Sequence, residues 1–283
     1  MSGSILKGLR LDLWVPLGQG NVNLARGGAE GAADMAEEPV TAALLVIGDE
    51  VLSGRTKDKN IGTVADFCTD LGIDLKEVRV IGDEMDVIVD AVNALRSRYS
   101  YVFTTGGIGP THDDITADAI SKAFDVELPV SDEARRILEE RYGTVDVAPE
   151  RLRMARIPVG GIMIANSVSG APGFTIGNVH VMAGVPQVMQ VMLEDLSGRL
   201  KTGKKWVSET VPCGVGESVV SAGLKAIQDS HPALKIGSYP HIGDRKVYTQ
   251  LVVRGTDPEE VSVAAGEVRA LVEELHERRG VTI

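Results

Sequence analysis

Residues 99–120 read YSYVFTTGGIGPTHDDITADAI. An apolar run of aromatic and β-branched residues passes into three glycines within four positions, then Pro110 and the adjacent Asp113 and Asp114. Ile115, Ala119, Ile120 and Ala123 follow at helical spacing. Strand, tight loop and helix are the predicted succession. The loop also sets a chemical problem: backbone shaped to receive an anion stands beside carboxylates that repel one.

Working outward, the same succession precedes this stretch twice. AALLVIG (42–48) is a continuous apolar run, the pattern of a strand covered on both faces. A polar loop, DEVLSGRTKDK, leads to a helix from about residue 58, with Ile61, Val64, Ala65, Cys68 and Leu71 on one stripe and Gly72 at its end. IDLKEVRVIG (73–82) reads as a second strand and EMDVIVDAVNALRSR (84–98) as a second amphipathic helix. Such alternation predicts right-handed crossovers and a mainly parallel sheet. Residues 131–160 read as helical and irregular, and 160–186 as two or three short strands. Pro186 is placed to open another helix, through Leu196. After a linker at 197–205, strand (206–212), helix (216–229), strand (234–239), strand (246–253) and helix (257–278) predict a small α+β layer of split-βαβ type. The expected domains are 39–200 (α/β) and 201–283 (α+β). Residues 1–38, rich in Gly, Ala and polar residues, read as a flexible tail, with Met35 a natural alternative start.

Composition narrows the partners. A net charge of −11 argues against a nucleic-acid binder, which needs a basic face. It does not exclude a phosphate ligand, and it favours a bridging cation. The two cysteines, Cys68 and Cys213, are too few for a disulfide framework and sit in apolar patterns. No apolar run approaches the roughly 20 residues of a membrane span. No membrane partner is expected, and the cytoplasm is the default location.

Ligands of an open parallel sheet bind beyond the carboxyl ends of its strands. GDEVLSGR (48–55), IGDE (81–84), GGIGPTHDD (106–114) and AGVP (183–186) all begin at such predicted ends. GGIGPTHDDIT is neither a Walker A loop nor a dinucleotide fingerprint. One reading is a turn closed by a capping box, Thr111 with Asp114 three residues on. The other is a binding loop, favoured because three glycines exceed what capping requires. Asp113 and Asp114 suit either the helix dipole or a hard cation shared with substrate phosphates. Asp49 and Asp83 close neighbouring loops and could complete such a site; the alternative is solvated loop acids. His112 reads as a surface turn histidine, with acid/base work the rarer alternative.

Assembled, these residues resemble the molybdopterin-binding MoaB/Mog domain, in the form found at the start of competence/damage-inducible protein A (CinA) proteins. The resemblance rests on GDE (48–50) with Asn60 beyond it, GD (82–83), TTGGIGPTHDDIT (104–116), Asn166 with APGF (171–174), GVP (184–186) and IGSYP (236–240). Ala183 and Ser167 stand where that family commonly has proline. The resemblance implies a three-layer α/β fold and a ligand that is molybdopterin or a nucleotide such as ADP-ribose or FAD. It implies Asp49, Asp83 and Asp114 as catalytic positions and Asp113 and Asp114 as ligands of Mg²⁺, Mn²⁺ or Co²⁺. Gly106, Gly107, Gly109, Thr111, Thr116, Asn60 and Gly184 would bind the ligand and its phosphates. The expected function is a metal-dependent nucleotide pyrophosphatase. The alternative is a molybdopterin-binding protein without hydrolytic activity. A homo-oligomer is expected by analogy with the fold.

Overall fold

A computed structural model describes residues 39–242 and 247–279. The tail expected at 1–38 lies outside these residues.

The run AALLVI forms β1 (Thr41–Ile47), every residue after Thr41 buried. Its two-residue alternation sorts side chains between two helical layers. Ala43, Leu45 and Ile47 pack with Ile88, Val92 and Leu95 of α3 (Met85–Arg96) and Ala119 and Ile120 of α4 (Thr116–Phe124). Ala42, Leu44 and Val46 pack with Val64 and Cys68 of α2 (Asn60–Asp70) and Met189, Met192 and Leu196 of α7 (Pro186–Ser197). Helices on both faces of one sheet give the three layers. Both cysteines are free and buried, and burial pushes the Cys68 thiol up to about 12, which fits packing and not reactivity.

Six strands make the sheet, in the order β2-β1-β3-β6-β5-β4. β2 (Asp74–Ile81), β1, β3 (Tyr101–Thr105) and β6 (Val179–Met182) run parallel. β5 (Gly173–Ile176) and β4 (Ile162–Ile164) continue the sheet antiparallel. Ile47 pairs with Ile81, Val46 with Thr105, and Thr105 with Met182, so the four parallel strands finish on one edge. The chain leaves β1 toward β2 and returns to the other side as β3, making the β1–β3 gap the switch point where ligands of such sheets bind. The loop after β1 contains a short helix, α1 (Asp49–Leu52), where the sequence predicts only loop. The irregular region resolves into α5 (Asp132–Tyr142), α6 (Pro149–Leu152) and a 3₁₀ turn at Arg153–Ala155.

A second sheet follows, order β7-β9-β8: β7 (Val207–Cys213), β8 (Lys235–Ile242) and β9 (Val247–Gly255). β7 and β8 each pair antiparallel with β9, so they are parallel to one another with β9 between them. That is the split βαβ arrangement predicted from the order of elements. α8 (Glu217–Ser230) and α9 (Pro258–Arg279) cover one face, closing a core of Val211, Cys213, Leu251, Val253, Val220 and Val268.

Candidate functional site

The loop Gly106–Ile115 leaves β3 at the switch point, and each of its glycines packs closely against a neighbour in β1, in α4 or in the loop itself. Gly106 has φ +104°, and a Cβ there would stand 2.1 Å from the Ile47 carbonyl oxygen of β1. Gly107 has φ +68°, and its Cβ would meet Thr116 Oγ1 at 2.1 Å. At Gly109 a Cβ would fall 2.6 Å from Asp114 Oδ2. The surplus of glycine that sequence reasoning assigns to ligand approach is thus explained by close packing of the loop on itself and on β1. What points to a ligand is the space the loop encloses. A cleft of about 530 Å³ is floored by Gly106–Gly109 and walled by Asp114, Glu50, Gly184 and Asn166, a size ordinary for a small-molecule site.

The capping-box reading is realised in the turn itself: Asp114 Oδ2 accepts from the Thr111 amide (2.8 Å) and hydroxyl (2.5 Å). Helix α4 begins later, at Thr116, whose amide donates to the Gly107 carbonyl at 2.9 Å. The first amide of that helix therefore serves the loop and not a ligand. Arg153 holds the other side of the turn by donating to the Asp114 carbonyl at 3.1 Å.

Beneath the loop lies a layer of buried polar groups. Asn60 donates through Nδ2 to the Gly184 carbonyl (2.8 Å), tying the start of α2 to the loop after β6. Asn60 Oδ1, Thr105 Oγ1 and Thr116 Oγ1 are buried with no hydrogen-bond partner among the described residues. Asn60 and Thr105 line a chamber of about 50 Å³ behind Gly184, room for a water or a ligand oxygen. Unpaired buried polar atoms are costly, so Asn60 Oδ1 and Thr105 Oγ1 call for a water or a ligand oxygen in that chamber.

The acids converge. The Asp49 amide donates to Asp83 Oδ2 at 3.0 Å, joining the loops after β1 and β2. The Asp83 carboxyl is pushed above its ordinary range, first by loss of solvent and, beyond the opposing hydrogen bond from Asp49, by repulsion from Glu50, Asp49 and Asp113. Asp113 is held below the usual range by hydrogen bonding within its turn, Thr111 first and its own amide next. His112 is exposed, 3.9 Å from Asp113, the posture of a turn histidine.

Of the residues singled out in the sequence, Gly106, Gly107, Gly109, Asp114 and Gly184 line the cleft. Asp49, Asp83 and Asp113 share a charged rim. Asn60 and Thr116 lie beneath, and Thr111 closes the turn. Glu50, Asn166 and Arg153 were missed as site residues. Asn166 shapes the 166–171 loop by accepting from the Val168 and Ser169 amides and donating to the Ala171 carbonyl, a role its NSVSGAPGF context could have signalled. Among the described residues, no group of three or more His, Cys, Asp or Glu side chains stands where it could hold a metal ion alone. The donor set fits Mg²⁺ in its usual manner, one or two carboxylates completed by the phosphates of a substrate.

The protein family described as "Probable molybdopterin binding domain" (MoCF_biosynth) matches residues 43–202. The chain belongs to this family. The cleft, the loops and the acid rim all fall within the MoCF_biosynth segment. Residues 205–278, the second sheet and its helices, match "FAD synthase, middle domain". A protein of Metallosphaera sedula is 30% identical over 261 residues, covering 86% of this chain and 97% of its own. The "Probable FAD synthase" of Caenorhabditis elegans is 30% identical over 258 residues, 82% of this chain and 50% of its own, so the MoCF_biosynth and middle-domain segments span about half of that protein. The crystal structure of the protein CinA with unknown function from Thermoplasma acidophilum matches with a TM-score of 0.54 and 31% identity, over 57% of this chain and 98% of that one. No helix among the described residues is long and apolar enough to cross a membrane.

Proposed function

We infer that the chain is a divalent-metal-dependent nucleotide pyrophosphatase acting on ADP-ribose or a related dinucleotide such as FAD. The observation that carries this reading is a 530 Å³ cleft floored by the glycine loop, bordered by carboxylates close enough to repel one another. A diphosphate beside those acids is attracted only through a cation. Asp113 and Asp114 are the residues to hold it. When bound, Mg²⁺, Mn²⁺ or Co²⁺ would polarise the diphosphate and acidify a water. Asp83, the rim carboxylate whose proton affinity is raised, is suited to take the proton of that water, with the Asp49 amide fixing its orientation. Attack of the water oxygen on one phosphorus breaks the P–O–P link and releases AMP with ribose 5-phosphate or FMN. The match to the worm FAD synthase covers too much of the chain to lie in either segment alone, which supports a flavin dinucleotide among the substrates.

Incubation of the purified chain with FAD and ADP-ribose tests this. AMP release that requires Mg²⁺, Mn²⁺ or Co²⁺ and disappears in Asp83→Asn is the expected result; no metal-stimulated release from either substrate rejects it. A second reading is molybdopterin binding without hydrolysis. It is favoured by the lack, among the described residues, of a preformed three-ligand metal group. Co-purifying pterin fluorescence with no nucleotide turnover would establish that reading instead.

A further inference from the structure

Among the described residues, helices cover the second sheet on one face only. Alternation along its strands puts Val207, Val211 and Cys213 of β7, Ile236 of β8 and Leu251 and Val253 of β9 against α8 and α9. The other set of positions therefore points outward. Register aligns Ser208 with Arg254 and Lys235 with Arg254, so these three form one row across the sheet. Trp206 precedes this row on the same side of β7. Its indole lies 4.6 Å from the Lys235 ammonium and 5.7 Å from the Arg254 guanidinium, within cation–π reach.

Tyr239 is 52% exposed. Its ring lies over Gly237, where a Cβ would stand 3.0 Å from Tyr239 Cε2. The absence of a side chain at 237 is what lets the ring lie down on the sheet with its other face outward. Trp206, Tyr239, Val252, Arg254 and Ser208 enclose a groove of about 400 Å³, closed at one end by Thr69 of α2. Because α2 begins at the cleft with Asn60, Thr69 stands roughly 14 Å along its axis from that end, at 1.5 Å per residue. The groove is separate from the cleft.

Its chemistry is also opposite. In a chain of net charge −11, none of the described outward positions on this sheet is Asp or Glu, and Lys204 and Lys205 lie exposed beside Trp206. A flat ring with cations at its edge is the recognition surface for a planar base that carries phosphate. The volume suits one such unit, and the chain's overall negative charge opposes a long polyanion. We propose that the outward face of this sheet is a second ligand site, which binds a single free nucleotide with its base stacked on Tyr239 and its phosphate on Arg254 and Lys235.

The Trp14→Phe protein keeps Trp206 as its sole tryptophan. Adenosine monophosphate added to it is expected to change Trp206 emission saturably. Tyr239→Ala and Arg254→Ala each weaken this binding about tenfold or more, while Tyr239→Phe, which keeps the ring, binds like the parent. Asp114→Asn, in the cleft, leaves the titration unchanged. Circular dichroism of each variant confirms that the fold is kept. No saturable change, or parent-like affinity in both alanine variants, overturns the proposal. So does a titration altered by Asp114→Asn, which would place the nucleotide in the cleft. An eight-nucleotide single strand binding more than tenfold tighter than the monophosphate overturns it in favour of nucleic acid.

Discussion

The Gly106–Gly109 cleft and the Trp206–Tyr239 groove both have room for a phosphate-bearing ring, yet they are made of different material. The cleft is bent out of main chain: two left-handed glycines, a threonine beneath them and a carbonyl of β1 fix its floor, and acids border it. The groove is painted onto a finished sheet by outward side chains, with cations where the cleft has carboxylates. Change at the first should therefore disturb the fold, and change at the second should disturb only what binds there. The difference can be broken by measurement.

The largest effect is expected from Gly106→Ala. The new Cβ would be 2.1 Å from a carbonyl of the central strand, at a φ of +104°. Strain of 1–3 kcal/mol and an overpacking term of similar size add to a loss of about 4 kcal/mol, read from urea midpoints. Tyr239→Ala, on an exposed face, should stay within about 0.5 kcal/mol of the parent by the same assay. Similar losses for both would erase the distinction.

Next in size is a pH effect inside the large sheet. His180 of β6 is buried and stacked on Phe103 at 5.3 Å, with Nδ1 2.9 Å from Thr175 Oγ1. Burial, with a smaller contribution from Arg199, pushes its pKa down to about 4. The folded value lies below the unfolded one, so the unfolded chain takes up the proton first and stability falls as pH drops from about 6.5 toward 4. At about 1.4 kcal/mol per pH unit, roughly 3 kcal/mol is at stake across that window. His180→Phe removes the titration. Its unfolding free energy relative to the parent is expected to improve steadily from pH 7 to pH 4, and a constant difference would refute the assignment.

Smaller again is Asn60→Ala, which breaks the bond to the Gly184 carbonyl in a buried place. A cost of about 2 kcal/mol is expected, with ligand affinity lowered further because the loop after β6 loses its tie to α2. An unaltered unfolding midpoint would show that the bond does not hold the loop.

Much of this was legible before any coordinates. AALLVIG announces a two-sided strand, and its alternation assigns each residue to a helical layer. The sequence placed the first strand of the second sheet at 206–212, and the structure has Val207–Cys213. The four loops gather at one edge because a parallel sheet leaves them nowhere else to go. The remainder depends on distant partners. Glu50 reads as a solvated loop acid until Asp83 is brought beside it, and Arg153 as a solvated cation until the Asp114 carbonyl is. The tight turn at Gly106 and Gly107 is legible, but a sequence cannot say whether a missing side chain admits a ligand or a neighbouring carbonyl. Tyr239 and Arg254 share a face by simple alternation, but which face the helices leave open is settled only by how α8 and α9 pack.

Within the cleft, the smallest stability change is expected where the functional change is largest. Asp83 is desolvated and faces Glu50, Asp49 and Asp113, so its ionised form opposes folding. Its folded pKa is raised, and the chain therefore gains from protonating it: stability attributable to this group rises as pH falls through the folded value and is lost again above it. Asp83→Asn removes the charge and keeps an oxygen to accept the Asp49 amide. The variant should unfold at the same denaturant concentration as the parent or a slightly higher one, by less than about 1 kcal/mol after solvent screening. Metal-stimulated release of AMP should fall by at least about 100-fold if the carboxylate takes a proton in the reaction. A residue kept only for structure would show the reverse, a lower midpoint with turnover intact. Stability held or gained together with activity lost is the signature of a group placed for chemistry at the fold's expense.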